Sequence, residues 1–134
     1  MSRRPRRRTP VRPRRRAGWP PSKRRLEELI QQAIVDAYGE SEQRTGLFTM
    51  MEENLALPFD VEILGMPARV ERIDLTDADE IVVICRRGRS RQQVPILDLR
   101  LPLPPPDGAE WIEAYRRWAR GRETGYSGPA FARS

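Results

Sequence analysis

Apolar residues recur along residues 22–37 with a helical period. Leu26, Leu29, Ile30, Ala33, Ile34 and Ala37 fall at i, i+3, i+4, i+7, i+8 and i+11, so they share one face of an α-helix. Ser22 is the predicted N-cap and Gly39 the predicted end. A second helix is expected from Ser41 as N-cap, with Glu42 in the first turn, where the helix dipole favours an acid. Leu47, Met50, Met51 and Leu55 form its apolar stripe, with Phe48 at the edge. Pro58 stops it, because the residue before a proline is pushed out of the α region.

After Pro58 the period changes to two. Phe59, Val61 and Ile63 alternate with Asp60 and Glu62, as in a half-buried strand. Gly65 to Pro67 predicts a turn. A second strand near Ala68–Leu75 carries Val70 and Ile73 three apart, the spacing of a bulge. Ile81–Cys85 is a continuous apolar run, predicted as a central strand. A turn at Arg86–Arg91 leads into a fourth strand predicted over Val94–Leu101, where Pro95 marks an edge or a strand start. A proline-rich connection, residues 101–106, precedes a third helix. Asp107 is its expected N-cap, Glu110 completes a capping box, and Gly121 is its expected end. Trp111, Tyr115 and Trp118 lie at i, i+4 and i+7, which reads as core rather than as a platform for stacking bases. The predicted fold class is α+β: two N-terminal helices, a small four-stranded antiparallel sheet or partial barrel, and a C-terminal helix. No internal repeat is found.

Charge divides the chain. Residues 1–25 hold 12 of the 25 basic residues and no acid, whereas residues 26–134 hold 13 basic against 19 acidic residues, a net of −6. Self-repulsion and proline keep a segment of the first kind from offsetting its ordering entropy. The expected organisation is a disordered Arg/Pro-rich tail over residues 1–21, a single domain over 22–121, and a flexible C-terminal tail over 122–134. In the tail, Arg3, Arg4, Arg6, Arg7, Arg8, Arg12, Arg14, Arg15 and Arg16 offer bidentate phosphate contacts. Such an arm grips nucleic acid independently of sequence, through counterion release. A nucleic-acid-associated protein is therefore the alternative functional reading.

Absences narrow the chemistry. The chain has no histidine, which excludes Ser–His–Asp catalysis and His-ligated zinc or haem. Its one cysteine, Cys85, excludes an intrachain disulfide and reads as a small buried hydrophobe. No glycine-rich phosphate loop is present. No apolar run reaches the roughly 20 residues of a membrane span, and the Arg-rich start lacks the apolar stretch of a secretory signal. A reducing, cytoplasmic setting and a non-enzymatic protein are expected.

Acidic residues gather in three places: Asp36, Glu40 and Glu42; Glu52 and Glu53; and Asp74, Asp77, Asp79 and Glu80. Calcium takes six to eight oxygen ligands, and carboxylates that converge from loops can supply them. None of the three stretches fits the EF-hand loop pattern. The order of short motifs is more specific. Val35-Asp36-Ala37-Tyr38 is followed by Glu42-Gln43, and then by Glu52-Glu53-Asn54-Leu55 leading to Pro58-Phe59. Further on come Val94-Pro95-Ile96, Leu99 and the Trp111/Tyr115/Trp118 helix. Over residues 34–121, and most densely over 34–64, the chain resembles the cyanobacterial-type (CcbP-like) calcium-binding protein family. The resemblance implies a small protein of helices and strands that binds calcium without an EF-hand, through carboxylates around the helix junction. Asp36 is carried over first, and Glu42 and Glu53 stand on the family's acidic positions. Glu40 joins them by its place at the same junction. The calcium ion is then the expected partner, in a buffer or sensor role.

Overall fold

A computed structural model describes residues 18–126. The nine tail arginines from Arg3 to Arg16, and residues 127–134, lie outside the described residues. Helix α1 (Lys23–Ile34) begins where the pattern places it. Ser22 is extended there, and its hydroxyl accepts from the Arg25 N–H at 3.1 Å. The helix stops three residues short of Ala37. To continue, the Tyr38 N–H would have to donate to the carbonyl of Ile34. Instead Ala37 takes that carbonyl in a tighter turn, and Tyr38 donates to the Glu42 carboxylate at 2.8 Å.

Helix α2 (Glu40–Asn54) is capped by Gly39 rather than by Ser41, which sits inside its first turn with Glu40 and Glu42. The first turn therefore gains a second acid for its dipole. Leu47 and Met51 are fully buried, and Leu55 leaves the helix in an extended conformation.

The strands β1 (Phe59–Ile63), β2 (Met66–Leu75), β3 (Ile81–Arg87) and β4 (Ser90–Pro95) form one antiparallel sheet in the order β1-β2-β3-β4. Leu64 and Gly65, both at positive φ, make the first hairpin turn, one residue earlier than expected. The predicted bulge is present between Val70 and Arg72. The fourth strand differs from its prediction. Pairing with β3 starts at Ser90, directly after a two-residue turn whose positive φ falls on Gly88, and ends at Pro95; Ile96–Asp98 is a 3-10 turn. An edge strand is held by backbone hydrogen bonds, so its exposed polar residues carry no apolar signature.

The chain then returns past the opposite edge. Asp98–Arg100 line one hollow with Glu62–Gly65 and Gln92–Pro95, and Arg100–Pro102 line another with Asp60–Glu62. This connection thus lies beside residues of both edge strands, β1 and β4.

Helix α3 (Glu110–Tyr126) starts three residues after Asp107, which lies in a separate turn, and it runs straight through Gly121. One glycine costs a helix only about 1 kcal/mol against alanine. Residues 122–126, expected in a tail, are therefore helical. Trp111, Ile112, Ala114, Tyr115 and Trp118 are buried, and with Leu29, Leu47, Met51, Val70, Val83 and Ile96 they belong to one continuous core. That burial removes the aromatic stripe from any stacking role. Cys85 is also buried in this core, and burial pushes its thiol pKa up. No helix among the described residues is long and apolar enough to cross a membrane.

Candidate metal centre

The junction between α1 and α2 gathers three of the four predicted ligands and then divides them. Asp36 and Glu42 line one open hollow, together with the hydroxyl residues Ser41 and Thr45 and the apolar residues Ala33, Val35 and Ala37. The hollow exists because Gly46 lets the two helices approach closely: a Cβ there would stand 2.2 Å from the Ala33 carbonyl oxygen. Glu42 is oriented from behind, since one of its oxygens accepts from the Tyr38 N–H at 2.8 Å.

Glu40 belongs elsewhere. Residues two apart on a helix point to opposite sides, whereas residues four apart share a face. Glu40 accordingly meets Arg44, at 3.0 Å, and Arg122, at 3.7 Å. Arg44 extends that contact across the molecule. Its guanidinium reaches Asp79 in the β2–β3 loop at 2.6 Å and the Tyr115 hydroxyl at 3.4 Å, and it lies 5.1 Å from the centre of the Trp118 ring. Burial opposes the charge on Arg44, but Tyr115, Glu40 and Asp79 outweigh it and hold its pKa above the ordinary value. Asp79 adopts the left-handed backbone region, at φ 65, which aspartate tolerates better than most residues. Beside this clasp, the Trp118 indole N–H donates to Gln43 at 2.9 Å.

Glu53 is not at the junction. Eleven residues of helix separate it from Glu42, about 16 Å at 1.5 Å per residue. The sequence reading also missed Arg44, and it marked Gln43 only as part of a motif, with no role. Only the spacing between Glu40 and Arg44 was a local signal, because Asp79 is 35 residues from Arg44 and Trp118 is 75 from Gln43.

A hard divalent cation such as calcium takes carboxylate, carbonyl and water oxygens, and Asp36 and Glu42 are the two carboxylate residues that line the hollow. Among the described residues, no three histidine, cysteine, aspartate or glutamate side chains stand close enough to hold a metal by themselves. Compared with protein-family models, residues 27–119 match the CcbP model, described as calcium binding. The chain belongs to this calcium-binding family. The match runs from the first turns of α1 into α3, so the family region contains the junction, the sheet and the clasp. The comparisons with curated proteins and with solved structures gave no match.

Proposed function

We propose that this chain is a non-enzymatic calcium buffer or sensor that takes its ion in the α1–α2 hollow, without an EF-hand. Asp36 and Glu42 are the anionic ligands. Ser41, Thr45 and backbone oxygens contribute neutral donors, and water fills the remaining positions. Glu40 is committed to Arg44, and Glu53 lies outside this shell. The observation that carries the reading is the convergence of Asp36 and Glu42, from the two sides of a helix junction, on one open space. The acting unit is the folded region from Ser22 to the end of α3.

Calorimetric titration of the full chain with calcium tests it. Asp36→Asn is nearly isosteric and removes one anionic ligand from an exposed position. It should weaken binding roughly tenfold, a difference of about 1.4 kcal/mol, and leave the calcium-free melting temperature in place. Calcium at a hundred times its Kd should stabilise the wild-type fold by about 2.7 kcal/mol. No heat and no melting shift at millimolar calcium would count against the proposal.

A further inference from the structure

Three consecutive residues of α2 face two different parts of the molecule. Glu42 points into the hollow beside α1. Gln43 accepts from Trp118 of α3, and Arg44 grips Asp79, Glu40 and Tyr115 while covering the Trp118 ring. Arg44 is only 15% exposed, and its partners come from α2, the β2–β3 loop and α3. A helix can turn about its axis with little change in its own hydrogen bonds, and one residue corresponds to about 100°. The direction of Glu42 follows the rotation of α2, which the buried Leu47 and Met51 hold from the core, Tyr38 holds at Glu42 itself, and Arg44 and Gln43 hold from the side away from the hollow.

On the reading of the hollow as the calcium site, we infer that Arg44, assisted by Gln43, is a positioning residue. By clasping α2 to the β2–β3 loop and α3, it adds to the core packing of Leu47 and Met51 in holding the rotation that aims Glu42 at the ion. The sign of its effect separates this role from simple electrostatics. Removing a positive charge near a cation site strengthens binding through the field alone. Removing a positioning residue weakens it. Trp118, held between Gln43 and Arg44, makes the clasp optically visible.

The test is a calcium titration of the full chain carrying Arg44→Gln, followed by calorimetry and by tryptophan emission. Arg117→Gln, which breaks the exposed pair with Glu27, is the control for general loosening. The expected result is an affinity about fivefold or more lower for Arg44→Gln, within the usual range of coupling between sites. Arg117→Gln should bind as the wild type does. The calcium-induced change in tryptophan emission should disappear in Trp118→Phe and shrink in Arg44→Gln. Arg44→Lys keeps the charge but loses the two-pronged grip, so it should fall between wild type and Arg44→Gln, and it carries the test if Arg44→Gln does not melt cooperatively. Unchanged or increased affinity in the Arg44 variants overturns the inference. If Asp36→Asn abolishes binding while the Arg44 variants match wild type, the site stands and the positioning role falls. If neither wild type nor any variant takes up calcium, both fall together.

Discussion

A side chain at position 108 would have nowhere to go. Gly108 sits at φ 85, and a Cβ on it would lie 2.1 Å from the carbonyl oxygen of Asn54. The same turn is tied to the end of α2 by the Ala56 N–H, which donates to the Asp107 carbonyl at 2.9 Å. Position 108 therefore requires both the left-handed backbone region and the absence of a side chain. Gly108→Ala should cost about 3 kcal/mol, combining overpacking with backbone strain, read as a lower denaturant midpoint at unchanged slope. This glycine was visible in the sequence only as a residue after a predicted cap. What it touches, at the end of a helix that precedes it by 54 residues of chain, is a tertiary fact with no local signature. Asp36 and Glu42 were legible as residues because a short ordered motif marked them. Their separation from Glu40 was not, since it depends on where Arg44 finds its partners.

At the level of elements, the helices were legible where a cap and an apolar stripe coincide, as at Ser22 and Leu26–Ile34. Their ends were not. The end of α1 is decided by a competition for the Tyr38 N–H, and α3 overrides Gly121 because a single glycine is a weak stop. The sheet was legible through β3, whose interior residues are buried on both faces. On the outer face of the sheet the register Arg69↔Arg86 and Arg86↔Arg91 sets like charges side by side across three strands, an unfavourable arrangement. Glu71, the extra residue of the bulge, relieves it by bonding Arg91 at 2.9 Å and Arg86 at 3.3 Å. The bond from Arg91 is the main cause that lowers the Glu71 pKa below its ordinary value; desolvation opposes it, and the bond and charge of Arg86 add to the lowering. A carboxylate with a depressed native pKa stabilises the fold fully above its unfolded pKa, and that contribution fades as pH falls through the native value. Melting curves should therefore separate wild type from Glu71→Gln near pH 7, with the variant lower, and the two should converge in acid below the carboxylate range.

For the whole molecule, the dominant feature is the opposition between a basic N-terminal segment and an acidic remainder. Residues 1–17 contribute nine arginines, and residues 26–134 carry a net of −6. A cationic arm tethered to an acidic body competes with any cation that the body binds, and salt screens that competition over about 10 Å at 0.1 M. Deleting residues 1–17 should raise calcium affinity at 10 mM salt, and the difference should vanish near 0.5 M, as calorimetry can follow. The same deletion should remove any salt-sensitive retardation of arbitrary duplex DNA, the outcome on which the nucleic-acid reading depends.

The pairing of the first and last helices has one more consequence. Arg117 on α3 bonds Glu27 on α1 across 90 residues, and Arg25 lies 3.9 Å from Glu110. Every strand, by contrast, pairs with its neighbour in sequence. During translation the hairpins can close as they leave the ribosome and α2 can cover one side of α1, while the side of α1 that packs against α3 waits, still wet, for a partner that is made about eighty residues later. A nascent chain halted before Glu110 should therefore present an unfinished apolar surface to chaperones, and release it only when the final helix emerges.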